Sequence, residues 1–352
     1  MRGKTIQSTV SFSVFLLSGA MIFSPLHKSD NLFISLIFAF LTGLICIFAA
    51  LRICEKKDTD NPRFKKLSFI AAILLSVLSA ATTLLILTET IKDVSYIANR
   101  GISFAYYCFI AFSILIVSYY LCCNSSKGIF RFCIPAVFPF LLLIAVIFST
   151  FSTTGIYFDN LKFNNIEESI LSSSIQGIIS GLFFFADTIV FIYCFKDLMS
   201  DKSGKLMKHS ILVGFIIAFS FIGIYNTVTF MIFGSSLTKQ LSDPDYALIK
   251  LVPGIDMTEL ISALRIISFI IKSSVYVFSS SLALGKSISG EKKLHVIFIP
   301  TIYLTIVPVF VLFYTKGKTL GYGAFQSLVY PLTPIIGLLF MLIFLMSQKN
   351  IK

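Results

Sequence analysis

The sequence predicts an all-α polytopic membrane protein with ten transmembrane helices, on three observations. Hydrophobic residues make up 56% of the 352 and charged residues 13%, where soluble domains carry roughly 25% charged residues. The apolar residues fall in runs of about 18 or more, the length at which a helix rising 1.5 Å per residue crosses about 30 Å of hydrocarbon. Those runs do not alternate apolar with polar positions, as strands of a transmembrane barrel would; Phe138 to Phe148 is a case in point.

Taken in order, the runs between polar breaks place spans at 8–25, 32–52, 67–88, 102–122, 131–151, 175–195, 210–233, 259–284, 294–314 and 326–347. They form a single transmembrane domain over residues 1–352. Residues 1–26 have the outline of a signal peptide, with Arg2 and Lys4 ahead of an apolar stretch, but no small-x-small cleavage site follows. The first run is therefore expected to remain as a span. With the N-terminus inside, 19 of the 29 Lys and Arg residues fall in inner segments, 8 in outer ones, and Arg265 and Lys272 within a span. Basic residues are retained on the cytoplasmic side, so both termini are expected to be cytoplasmic.

An even number of spans divided five and five gives two halves of opposite topology, approximately 1–155 and 170–352. In inverted-repeat transporters the first helix of each half is interrupted near the midplane, and its freed backbone groups line the binding site. The first and sixth spans each contain a Ser-Gly pair, Ser18-Gly19 before Ala20 and Ser180-Gly181, where such an interruption is expected. Small residues also serve close helix packing, and the sequence leaves both roles open.

Ionisable groups at depth are costly, about 2.5–3.5 kcal/mol each on insertion scales, so each needs a partner, water or a function. Asp187 lies in the sixth span, and Arg265 and Lys272 in the eighth. Seven residues is almost two helical turns, so Arg265 and Lys272 share a face with Ser262, Ser268, Phe269 and Tyr276 nearby. Asp187 and Lys272 are both near mid-span. They can form a packing ion pair or face a central cavity, where the ammonium would bind a carboxylate or stand in for a coupling cation. Arg265 is expected nearer the outer rim, and Glu89 at the end of the third span.

Other chemistries find no support in the sequence. The net charge of +12 is distributed over short inner segments without an aromatic platform, so no nucleic-acid partner is implied. The seven cysteines avoid the outer loops, against a disulfide framework, and His27, His209 and His295 are scattered without ligand spacing. There is no phosphate-cradling loop and no nucleophile constellation. The chain is expected to be no enzyme and to carry no metal or cofactor.

Several segments resemble the GerAB family of spore germination proteins. Gly19 to Pro25 (GAMIFSP) is similar to the small-residue, apolar, Pro ending of that family's first span. Lys127-Gly128-Ile129, Pro135 and Phe138-Pro139-Phe140 resemble the opening of its fifth. Phe269-Ile270-Ile271-Lys272-Ser273-Ser274-Val275-Tyr276, with Leu282-Ala283-Leu284-Gly285 after it, is similar to the pattern of its eighth. In the sixth span the chain departs from the family, having Phe185-Ala186-Asp187 where the family has a Pro and a Gly-Glu pair. The resemblance implies the amino acid permease (LeuT-like) fold and a germinant, typically an amino acid, bound in the spore inner membrane. It also implies two partners, a larger membrane subunit and a lipoprotein subunit. On this reading the ligand lies between spans 1, 3, 6 and 8, against Ser18, Gly19, Ala20, Ser180, Gly181, Asp187, Lys272 and Tyr276. The competing expectation is a secondary active transporter of amino acids or related solutes. A third is a membrane scaffold without a cavity.

Overall fold

The computed structural model describes residues 2–22, 26, 29–55, 104–153, 166–185, 188–199, 205–241, 244–251 and 258–288. Its elements are α1 (Arg2–Ile22), α2 (Leu32–Glu55), α3 (Phe104–Cys123), α4 (Ser125–Phe132) and α5 (Val137–Thr153), then α6 (Ile166–Phe185), α7 (Thr188–Met199), α8 (Lys205–Gln240), α9 (Pro244–Lys250) and α10 (Thr258–Ile288). The predicted third, ninth and tenth spans, with Glu89, lie outside the described residues. Among the described residues, Leu32–Arg52, Ser126–Thr150, Lys205–Gln240 and Glu259–Leu282 are long and apolar enough to cross a membrane, and 112–123 and 170–182 are shorter apolar helices.

The helices sort by what their surfaces meet. On α2 the side chains of Phe33, Ile37, Leu41, Ile45 and Phe48 are exposed along one side, a stripe at helical spacing suited to acyl chains. Only 33% of the apolar window of α2 is buried, against 78% for α10. The interior helix is thus the one carrying Arg265, Lys272 and seven buried serines, Ser262, Ser268, Ser273, Ser274, Ser279, Ser280 and Ser281. Arg265 is itself buried, not at an exposed rim.

Beside α10 lies α1, which is equally rich in hydroxyls and equally buried. Thr9, Ser13 and Ser18 donate to the carbonyls of Thr5, Thr9 and Val14, one turn back, at 2.9, 2.9 and 2.7 Å. Bonding of this kind satisfies a hydroxyl within its own helix and lets a serine sit in an apolar interior. Ser13 also reaches the carbonyl of Gly214 on α8 at 3.1 Å, and Ser11 that of Phe130 on α4 at 3.0 Å. α10 is joined to α3 in the same manner: the hydroxyls of Ser118 and Ser273 are 2.9 Å apart, and Ser274 donates to the Ser118 carbonyl at 3.4 Å.

Helix α2 starts on a cap. The Asn31 side-chain carbonyl accepts from the amide of Ile34 at 3.2 Å, filling one of the donors a helix leaves open at its N-terminus. Against α2 lies α6, and the contact depends on glycine. A Cβ on Gly181 would sit 2.7 Å from the Ala39 carbonyl oxygen and 2.8 Å from the Thr42 Cβ, and Gly177 faces Ser35 and Phe38 still more tightly. Two glycines four residues apart let the backbones approach.

The two expected interruptions are not where the sequence placed them. Helix α1 continues through Ser18, Gly19 and Ala20 to Ile22, and α6 continues through Ser180 and Gly181 to Phe185, with α7 beginning at Thr188. The reason is local: Ser18 and Ser180 donate to Val14 and Gln176, each four residues back at 2.7 Å, so neither breaks its helix. A genuine break in helical dihedrals falls instead at Gly234 in α8, with φ 71° and ψ 168°, a region open essentially to glycine alone.

Candidate ligand-binding site

Gly19, four residues beyond Phe15 on one side of α1, faces α10. Its missing side chain is filled by Lys272: a Cβ there would lie 2.9 Å from Nζ and 3.1 Å from Cε of that lysine. The same ammonium sits 3.9 Å from the centroid of the Phe15 ring. Lys272 is 3% exposed and Phe15 fully buried. A cation over an aromatic face is attracted by the ring quadrupole, most strongly where water is excluded. The lysine is thus positioned by a glycine that gives it room and a phenylalanine that gives it a face.

Below this ammonium the interior is closed by rings. Phe191 of α7 lies 4.9 Å from Phe15 and 5.2 Å from Phe12, Phe195 lies 4.5 Å from Phe191, and Phe130 of α4 lies 5.4 Å from Phe195. This order fixes the sense of α7: it runs antiparallel to α1, so its first residue, Thr188, lies toward the Gly19 end. The Thr188 hydroxyl is fully buried and has no hydrogen-bond partner among the described residues. The same is true of Ser268, one turn before Lys272 on α10. Buried polar groups are normally paired. Two unsatisfied hydroxyls flanking a buried ammonium mark a place able to receive a small polar molecule.

The residues singled out from sequence divide accordingly. Gly19 and Lys272 meet directly. Ser18 is spent on its own helix, Tyr276 is buried one turn beyond Lys272, and Ala20 lies in the last turns of α1. Ser180 and Gly181 belong to the α2 contact, on the opposite errand from Gly19. Asp187 lies outside the described residues. Sequence reasoning did not single out Thr188, Phe15 or the Phe191–Phe195 pair. The one signal for them was the four-residue spacing of those two phenylalanines, which puts both on one face of a helix.

No protein-family model matches the chain, and no curated protein matches it in sequence. Solved structures do resemble it. A single-residue mutant of the manganese transporter from Eremococcus coleocola superposes over 96% of this chain and 76% of its own, with a TM-score of 0.51 at 12% identity. The same transporter, in complex with an aromatic bis-isothiourea substituted compound, gives 96% and 75%, with a TM-score of 0.48 at 13% identity. The chain has the fold of a membrane transporter. At this identity the likeness is one of fold alone.

Proposed function

We propose that the chain binds a small carboxylate-bearing solute, an amino acid, between α1, α7 and α10, and that it serves as the membrane subunit of a spore germinant receptor. The observation that carries the binding reading is the buried ammonium of Lys272, seated at Gly19 and Phe15. A buried charge is costly until an opposite charge or hydrogen bonds compensate it, and a carboxylate does both through charge-assisted hydrogen bonds. Ser268 and Thr188 offer hydroxyls beside it, and Thr188 opens α7, where amides and the helix dipole favour an anion. The same positive charge opposes a divalent cation, so the ion in the neighbour's title is not carried over.

The receptor reading is supported by the resemblance of the Gly19–Pro25 and Phe269–Gly285 segments to the GerAB family. It places the chain in the spore inner membrane with both termini cytoplasmic. There it acts as a sensor, not an enzyme, beside a larger membrane subunit and a lipoprotein subunit. Ligand would favour one conformation through differential affinity, and the partners would read that shift. The transporter fold favours a second reading, secondary active transport of amino acids or related solutes.

Binding of the twenty amino acids to purified protein, measured calorimetrically for wild type and Lys272→Ala, tests the site. Binding of at least one, lost in the variant, is expected; equal affinity in the two, or no binding by wild type, refutes it. Uptake of the bound amino acid into proteoliposomes would favour transport, since a pure sensor takes up none.

A further inference from the structure

The corner between α1 and α2 is tied down at one end of the bundle. Asp30 pairs with Lys239, in the last turn of α8, and accepts a hydrogen bond from the Ser172 hydroxyl at 3.0 Å. Beside it, the Asn31 amide donates to the Ser173 hydroxyl at 2.8 Å, and Ser35 donates to the Ser173 carbonyl at 2.9 Å. The corner and the start of α6 are therefore fastened by three hydrogen bonds. By contrast, the tail of α8 reaches the corner across the Gly234 elbow through Lys239, five residues on.

The position of this junction matters. Gly19 is three residues from the end of α1, and the Asp30 corner follows, so the junction and the Lys272 site lie toward the same end of the bundle. Beyond the tail of α8 comes α9, which packs on α5 and on α10, the helix that carries Lys272. The residues from Gly234 to α9 thus run from one side of the bundle to the other. They begin at a dihedral break and are pinned by a partly exposed ion pair, with side chains 34% and 42% exposed.

We propose that the tail of α8, hinged at Gly234 and clasped by Lys239 to Asp30, is a strap that closes the Asp30 end of the bundle and opens when the pair separates. As a gate to the Lys272 site it rests on the binding reading above; as a moving part it does not. A partly exposed pair suits this task. It contributes only about 0–1 kcal/mol, so the closed state is favoured without being locked.

Pulsed electron paramagnetic resonance on labels at Leu171→Cys (α6) and Ser236→Cys (α8) tests the strap, with the seven native cysteines replaced, in proteoliposomes and without ligand. Both positions are exposed and lie on opposite sides of the clasp. Asp30→Asn and Lys239→Gln should each enlarge a longer-distance population about two- to fivefold, as should high salt. The charge swap Asp30→Lys with Lys239→Asp should return the wild-type distribution. A distribution unmoved by either neutralisation, or a swap that fails to restore it, overturns the proposal. Because the distances are read without ligand, failure to bind any amino acid would instead overturn the site.

Discussion

Replacing Gly19 with alanine separates a binding role from a packing role. The new Cβ would stand 2.9 Å from Nζ and 3.1 Å from Cε of Lys272, both at the far end of a flexible side chain. Ordinary contact needs about 3.5–4.0 Å, so the ammonium must retreat by roughly half an ångström or more and leave its place over Phe15. A desolvated cation–π contact is worth about 2 kcal/mol, and 1.4 kcal/mol is a factor of ten in affinity. Amino acid affinity should therefore fall by up to about 30-fold. Stability should move the other way, because alanine is favoured over glycine within a helix by about 0.5–1 kcal/mol and no backbone atom obstructs it. Titration calorimetry reads the affinity. Circular dichroism reads the unliganded melting temperature, a suitable probe for a helical chain with no tryptophan. Affinity unchanged within twofold, or a loss of affinity that only tracks a fall in melting temperature, refutes the reasoning.

Other substitutions extend the test. Lys272→Met keeps the length of the side chain and removes its charge; carboxylate binding should weaken about 10- to 100-fold, the worth of one charge-assisted hydrogen bond, with folding preserved by the same melting assay. Gly181→Ala meets a backbone oxygen at 2.7 Å, so α2 and α6 must part, and a cost of about 1–3 kcal/mol should show as a lower melting temperature with ligand affinity unchanged in the folded fraction. Gly234→Ala forces an L side chain to φ 71°, at about 1–3 kcal/mol, and should displace the Leu171–Ser236 label distance. For pH, the Lys239 ammonium bonded to Asp30 holds that carboxyl below its ordinary range, aided by Ser172 and opposed by burial. A depressed carboxylate stabilises at pH above its unfolded value and loses that contribution as pH falls through the folded one. The label distances should thus be constant near neutrality and shift only in acid, below about pH 4.

Where hydrocarbon thickness governs the chain, the sequence was easy to read. The span expected at 32–52 is α2, Leu32–Glu55, and that expected at 259–284 is α10, Thr258–Ile288. Hydropathy understates helix length where polar residues continue the helix past the apolar slab, as at the start of α8, where Lys205, Lys208 and His209 precede the span expected at 210–233. It also misjudged the small residues. One Ser-Gly pair admits a lysine and the other a neighbouring backbone, a difference set by what lies opposite and invisible along the chain. The Gly177–Gly181 spacing was a legible sign of close packing. The Asp30–Lys239 pair joins residues 209 positions apart, and no local pattern announces it. Thr188 is exceptional because of what it lacks, a partner, and this is a property of three dimensions alone.

The hydroxyls buried in α1 and α10 bear on how the bundle can move. Those of α1 bond to their own helix, to α8 and to α4; those of α10 bond to their own helix, to α3 and, through Ser279 and the Val190 carbonyl at 3.3 Å, to α7. These directional bonds sort the helices into two groups. Where the groups meet at Phe15, Lys272 rests on a ring face, whose attraction changes gently with sideways displacement. Such a junction behaves as a bearing: the groups can shift past one another at this contact while the hydrogen bonds within each remain made.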